Sequence, residues 1–380
     1  MYFYLVVFSL AIVLAAISEL LKKANNTVVN NNQKKNQLLV SNVFLFLSGT
    51  VFVLVAGLRF NVGIDYAVYR RLQIPSVLQG YPTNMEYAYQ LLIKFSNLFG
   101  NIQWVFFFTH LLIIGFIYLA IKRNSESYSL SVFILATSAF FTVSLNIMRE
   151  CIAAAIFIFA VEYIVKRDKR FFGYSVLSFL FHRSSIIFLP LYFLNKIKLS
   201  KSMMFLLPFI PILGGDSVRK LAFYVSEHLG SYAKYFGSRY DRVSQLDKSF
   251  INIYWLCSVL VLYFSIIFIN KSDEKQLTEF EIQKKNVYQN LQLLIVLFSG
   301  FSRDIPHGDR IIYLLFGLQI LTIPFFFSIA SRIKGSPFKH RQIMLSLSKM
   351  IIIIAFLLFG WRMIVDGNYG YSIPYHSIFD

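Results

Sequence analysis

The sequence predicts an all-α polytopic membrane protein, and three observations carry that expectation. Of 380 residues, 57% are hydrophobic and only 15% are charged, against about 25% charged in soluble domains. Mean hydropathy is +0.59, with Phe (41) and Tyr (23) far above ordinary usage. The remaining charges collect in short stretches between apolar runs, as they do where helices must satisfy their own backbone in lipid.

Apolar runs near 2–21, 39–58, 102–121, 128–145, 149–165, 171–194, 203–215, 250–270, 287–301, 311–330 and 346–363 read as spans. The first run has no basic n-region and no small-residue cleavage site before Lys22-Lys23, so it is read as a span rather than a cleaved leader. Lys22, Lys23, Lys34 and Lys35 place the first loop inside. Lys122-Arg123, the stretch Lys166 to Arg170, and Arg332 to Arg341 mark further inner loops, which puts both termini outside. Eleven simple crossings cannot join two outer termini. The run 171–194, interrupted by His182-Arg183-Ser184-Ser185, is therefore expected to be two short segments meeting near His182, with Lys196, Lys198 and Lys201 back inside. A broken segment at membrane depth is tolerated where it lines protein or a wet cavity.

This topology sorts the cations. Inner loops hold 17 Lys and 5 Arg, and outer loops and outer helix ends hold 11 Arg and 4 Lys. Lysine is the usual retention charge on cytoplasmic loops, whereas arginine's planar fork grips phosphate oxygens at two points. An arginine-rich outer face on so apolar a chain points to a phosphate-bearing lipid. The net charge of +18 is thus explained without nucleic acid. One integral membrane domain over 1–380 is expected, with long outer regions at 59–101 and 216–249. In the first, Met85, Leu91, Leu92, Phe95, Leu98 and Phe99 are spaced as in an amphipathic helix on the outer leaflet. The second mixes Tyr224, Tyr232, Tyr235 and Tyr240 with Arg219, Arg239 and Arg242.

Four groups of residues could carry chemistry. Arg149-Glu150 is either a helix-end pair that snorkels to the surface or an anion contact at a cavity mouth. His182 is either an interhelical hydrogen bonder or a proton acceptor. In the cluster 303–310, Pro306 and Gly308 break the helix; Arg303 and Arg310 either bracket an anion or belong to a solvated turn. Arg59 is followed by Asp65, Tyr66 and Tyr69, which suit sugar contacts or an interfacial aromatic belt. Cys151 and Cys257 sit in apolar runs and read as packing residues. A Walker-type loop, a dinucleotide fingerprint, His-Glu-x-x-His and an Asp-x-Asp pair are all missing from the sequence, which argues against ATP-driven transport and metal-assisted transfer from sugar nucleotides.

Several of these residues fall into an order that resembles the EpsG family, a branch of Wzy-like polysaccharide polymerases. They are Gly57-Leu58-Arg59 with Val62-Gly63-x-Asp65-Tyr66-x-x-Tyr69, then Glu86-Tyr87 with Leu91-Leu92, and Trp104 to Phe107. Arg149 with Ala153-Ala154, Phe181-His182-x-Ser184-Ser185, Arg310 to Tyr313, and Ile373-Pro374-Tyr375 complete the series. Glu150 stands where the family is expected to carry Gln.

The resemblance implies a GT-C-like helical bundle of about 11–12 membrane segments. It also implies a glycosyltransferase without metal or cofactor, in the bacterial inner membrane. Such an enzyme joins oligosaccharide repeat units carried on undecaprenyl diphosphate at the periplasmic face, with chain length set by a separate regulator. On that reading Arg59, Arg149, Arg303 and Arg310 contact the diphosphate. His182 is the candidate base or a diphosphate contact, with Asp65 in reserve, and Tyr66, Tyr69 and Tyr313 contact sugar. A flippase for the same lipid-linked oligosaccharide, an O-antigen ligase-type transferase and a membrane acyltransferase are the competing readings; visible repeated halves, expected of a flippase, are missing from the sequence.

Overall fold

The apolar runs fold as helices. A computed structural model describes residues 2–25, 30–229, 236, 245–269, 271–306, 312–313, 315, 317–333, 339–366, 368 and 370–380; among these, the only β pairing is a single bridge between Arg59 and Ser377. Five segments are long and apolar enough to cross a bilayer. They are α1 (Tyr2–Asn25), α2 (Asn31–Gly57), α6 (Gln103–Asn124), Ser249–Phe268 and His340–Asp366. Between α2 and α6 lie the short α3 (Tyr66–Val68), a π turn (Tyr69–Gln73), α4 (Ile74–Leu78) and α5 (Tyr87–Asn97).

Small residues set the first helix pair. Ala11, Ala15 and Ser18 on α1 are fully buried, and the Ser18 hydroxyl donates to the Ser41 carbonyl at 2.7 Å. Ser48 donates to the Ala11 carbonyl at 2.7 Å and pairs with the Tyr118 hydroxyl on α6 at 2.8 Å. Such small and hydroxyl side chains let membrane helices approach closely and hydrogen-bond across the seam.

The centre of the bundle is α9 (Met148–Val165), whose side chains are nearly all buried. Its 18 residues span about 27 Å at 1.5 Å per residue. Around it pack α6, α10 (Arg170–Phe181) and the following 3-10 helix Arg183–Lys196. α10 stops at the expected place: His182 is extended (φ −157°, ψ 117°) and the 3-10 helix begins beside it. That helix then returns to the end from which α10 set out. Tyr192 donates to the Arg167 carbonyl at 2.9 Å and Asn195 to the Ile164 carbonyl at 3.2 Å. Residues 170–196 are thus a re-entrant hairpin with His182 at its tip.

A second break was not expected. The run 128–145 divides into α7 (Tyr128–Thr137) and α8 (Phe140–Ser144), with Ala139 between them in the left-handed region (φ 64°). The Ser138 hydroxyl there accepts from the Phe140 N–H at 3.5 Å, a local alternative to the helical bond.

The later segments are α11 (Lys201–Leu206), α12 (Ile210–Leu229), α13 (Gln245–Phe268), α14 (Glu279–Ser302), α15 (Gln319–Arg332) and α16 (Lys339–Trp361). Within the region 216–249 expected as an outer loop, residues 216–229 are helical, since Val218, Leu221 and Ala222 recur at helical spacing and carry α12 through Leu229. The tyrosines and arginines expected at 232–242 lie outside the described residues. α14 opens with a capping box: the Thr278 hydroxyl accepts from the Glu281 N–H and the Glu281 carboxylate accepts from the Thr278 N–H.

Separate sets of contacts close the two ends of the bundle. At one end Lys22 donates to the Tyr128 hydroxyl (2.7 Å), Arg123 to the Tyr163 hydroxyl (3.3 Å), Lys284 to the Asn124 carbonyl (2.9 Å) and Arg332 to Glu281 (2.5 Å). At the other, the C-terminal tail covers the exits of α1 and α2. The Phe60 N–H donates to the His376 carbonyl (2.8 Å), Tyr375 to the Val55 carbonyl (2.9 Å) and Tyr4 to the Ser372 carbonyl (3.1 Å). These are the lysine face and the arginine face.

Asn146 ties the arginine face together. Its side-chain oxygen accepts from the Asp65 N–H (3.3 Å) and its amide donates to the Gly370 carbonyl (3.2 Å). Gly63 (φ +101°) is required beside it, since a Cβ there would stand 2.9 Å from the Asn146 oxygen and 3.2 Å from the Leu145 carbonyl. Gly63→Ala is therefore expected to cost about 1–3 kcal/mol and lower the unfolding temperature in detergent. An unchanged melting curve would contradict the role assigned to this turn.

Candidate functional site

At the arginine face, α9 begins with Met148-Arg149-Glu150 directly beneath the tip of the hairpin. Glu86, extended and at the cap of α5, reaches into the same place. Its carboxylate is shared: Oε2 accepts a short hydrogen bond from Arg149 Nη1, and Oε1 accepts from the Arg183 N–H at 3.3 Å and lies 3.2 Å from His182 Nδ1. The other ring nitrogen, Nε2, faces Glu150 Oε2 at 3.7 Å. His182 is thus bracketed by two carboxylates that are 8% and 5% exposed, while the Arg149 side chain keeps 21% of its surface. Arg149 Nε is buried and makes no hydrogen bond among the described residues.

Aromatic rings build the wall behind Arg149. The Tyr69 hydroxyl sits against its guanidinium. Tyr69 packs edge-on to Tyr89 (centroids 6.2 Å apart), and the Tyr89 hydroxyl approaches the Met148 sulfur at 3.9 Å. Deeper lies Arg59, with no exposed surface. Its Nη2 donates to the Met148 sulfur at 3.5 Å, and its guanidinium carbon stands 5.2 Å from the Phe106 ring centre and 5.8 Å from that of Tyr66. Its Nε and Nη1 have no hydrogen-bond partner among the described residues. Gln103 donates to the Gly57 carbonyl (2.6 Å) and the Arg59 carbonyl (2.8 Å), fixing the chain as it leaves α2.

The residues named from the sequence divide into three groups. Arg149, His182 and Tyr69 meet at one place, with Asp65 close enough to act on the Tyr69 phenol. Arg59 joins them through Met148, but from inside the core, where its guanidinium supports the site from behind. Tyr66 is 2% exposed, stacked on Phe106 (4.6 Å) with its hydroxyl engaged by Arg70 and Gln103. Burial of its ring outweighs exposure to a sugar, so its place is in the packing. Tyr313 is likewise buried, beside Phe250 on α13.

Arg303 lies at the arginine-face end of α14. It donates to the Pro211 carbonyl (3.3 Å) and faces Asp304 at 3.5 Å. Among the described residues, none of its hydrogen bonds or ion pairs reaches the Arg149 group. Arg310 lies outside the described residues. Sequence reasoning placed Glu86 in a motif but gave it no role. The available signal was that Asp65 and Glu86 are the only carboxylates in the cation-bearing region 59–101.

Burial alone would raise the Glu86 carboxyl; the His182 ring and the Arg149 charge outweigh it and hold the group down at about 2. A carboxyl depressed in the folded state stabilises above its ordinary pKa and loses that contribution as pH falls through the folded value. Glu86→Gln should therefore cost about 2 kcal/mol at pH 7, discounted for partial solvent screening. Unfolding curves of the two proteins at successive pH values should keep a gap down to pH 5 and converge only between the ordinary carboxylate range and about 2. A gap that closes between pH 8 and pH 5 would place the titration elsewhere.

The EpsG family model matches residues 42–377. No curated protein and no solved structure matches the chain significantly. The family match covers nearly the whole chain, including Glu86, Arg149 and His182, and its helical, multi-span architecture is the one described above. The chain belongs to the EpsG family, the Wzy-like polymerase group.

Proposed function

We propose that the protein is a polysaccharide polymerase that transfers a growing chain from a lipid diphosphate carrier to the next lipid-linked repeat unit, at the periplasmic face of the bacterial inner membrane. The observation that carries this reading is the contact of one cation and one histidine with a single carboxylate, Glu86, at the tip of a re-entrant hairpin. An arginine held by a carboxylate can exchange it for phosphate oxygens of the same charge and geometry. The family supplies the reaction class, and undecaprenyl diphosphate is the carrier that fits it.

In this mechanism the donor diphosphate takes the place of the Glu86 carboxylate on Arg149. An acceptor sugar hydroxyl attacks the anomeric carbon of the donor chain, forming the new glycosidic C–O bond. The bond from that carbon to the diphosphate oxygen breaks, and the electron pair leaves with the lipid diphosphate. Arg149 stabilises the charge developing there. His182 takes the hydroxyl proton on one nitrogen while a carboxylate faces the other. Asp65, beside Tyr69, remains the reserve base; Tyr69 is buried like Tyr66 and Tyr313 and lies against Arg149. Both substrates carry diphosphates. Arg303, with Arg219 donating to the Asp304 carbonyl at 3.2 Å, forms a second cationic group for the acceptor.

Purified protein supplied with lipid-linked repeat units, in detergent and without a membrane gradient, should make polymer; transport alone would leave the substrate unchanged. Arg149→Ala and His182→Ala should remain in the membrane but lose about 100-fold or more in polymerisation rate, leaving single-repeat product. Arg149→Lys should restore little, because the two-point grip is lost. Normal chain lengths in Arg149→Ala would refute the assignment.

A further inference from the structure

At the lysine face, the end of the bundle away from Arg149, the start of α14 borders a cavity of about 430 Å³ that the polymerase chemistry does not use. Three ammonium groups line it, Lys198, Lys201 and Lys285, against one carboxylate, Glu274. Lys285 is 5% exposed and pairs with Glu274 at 2.5 Å, while Lys198 and Lys201 stand exposed at the rim.

The floor includes Asn290, 3% exposed. Its amide hydrogens are committed to the Leu194 and Ile197 carbonyls (3.0 and 2.9 Å), which fixes the orientation of the group. Its oxygen is buried with no donor among the described residues, an arrangement that costs stability unless a ligand supplies one. The remaining wall mixes apolar side chains, among them Met204 and Ile266, with the polar Ser200, Asn286 and Gln289. Outside it α11 and the residues after it expose Met203, Leu206, Phe209 and Ile210, at 45–68% of their surface.

We propose that this cavity binds the headgroup of an anionic glycerophospholipid that also carries hydroxyl donors. The phosphodiester lies between Lys198 and Lys201. A headgroup hydroxyl donates to Asn290 Oδ1, and the acyl chains run along the exposed apolar surface of α11. A cationic rim alone would accept any anion. The buried acceptor selects a hydroxyl-bearing one, and the apolar path selects an amphiphile.

The test is retention of lipid by the full chain in detergent micelles, read as lipid adducts by native mass spectrometry. Dioleoyl phosphatidylglycerol should bind, and dioleoyl phosphatidylcholine should not. Dioleoyl phosphatidylmethanol, with the same charge and no hydroxyl, should bind more weakly. Lys198→Ala/Lys201→Ala changes only exposed side chains, and should weaken phosphatidylglycerol binding about tenfold, or about 1.4 kcal/mol. Equal retention by the double variant, or equal retention of phosphatidylcholine, overturns the proposal. Equal retention of phosphatidylmethanol overturns the contact to Asn290. Displacement by excess inorganic phosphate would make this a soluble-anion site and overturn the lipid assignment.

Discussion

The arginine face is organised by one carboxylate. Arg149 begins a buried helix, where an unpaired guanidinium would carry a desolvation penalty of several kcal/mol. Glu86 removes that penalty from 63 residues away, which draws the loop before α5 against the start of α9. The same carboxylate accepts the Arg183 N–H, one of the backbone donors left over where α10 stops and a tighter helix begins. The hairpin therefore turns with that donor satisfied. Because His182 lies against that carboxylate too, the break and the charge pair support one structure: loosening either exposes the donors and the charge of the other.

Behind this group the protein buries a second arginine without a carboxylate. Arg59 is held by the faces of Phe106 and Tyr66 and by the Met148 sulfur, contacts individually worth about 0.5–2 kcal/mol. Its backbone is over-determined. Gln103 clamps the carbonyls of Gly57 and Arg59 from one side, and the tail bridges from Ser377 on the other. Arg59 therefore sets where Met148 sits, and Met148 precedes Arg149. The tail, far away in sequence, is part of the same scaffold through Asn146 and the Val55 and Ser372 carbonyls.

Much of this was legible in the sequence, and what was not has physical reasons. Spans are written in apolar runs because lipid tolerates little else, and the break at His182 is written in four polar residues inside such a run. The break at Ala139 leaves no such mark. Its residues are small or apolar, and a left-handed residue there is settled by packing rather than by composition. Glu86 was placed in a motif, but nothing local says that its partners lie on α9 and at the hairpin tip. The tyrosines misled in the opposite direction. Tyr66 and Tyr313 stand near charges in the sequence, as a sugar platform would, yet burying an aromatic ring is worth about 1.5–3 kcal/mol, and the core took both. Arg303 meets its neighbour Asp304 and the Pro211 carbonyl instead of the Arg149 group.

The division of cations between the two ends follows from what each must do. On the lysine face, Lys284 and Lys285 are adjacent and both buried, yet they diverge, one to Asn124 and Glu126 and the other to Glu274. A flexible stem with a single charged tip can reach separate partners in this way, and the Lys284 ammonium also lies over the Phe325 ring, 4.8 Å from its centre. On the arginine face the planar fork is used for shared geometry: Arg149 meets Glu86 through one nitrogen and Tyr69 through its flank, with Nε left over. A lysine there could balance the charge of Glu86 but could not offer a second, directed donor once a diphosphate replaced the carboxylate. On the proposed mechanism the arginine face uses guanidinium shape as well as positive charge, whereas Lys284 and Lys285 on the lysine face use charge and reach.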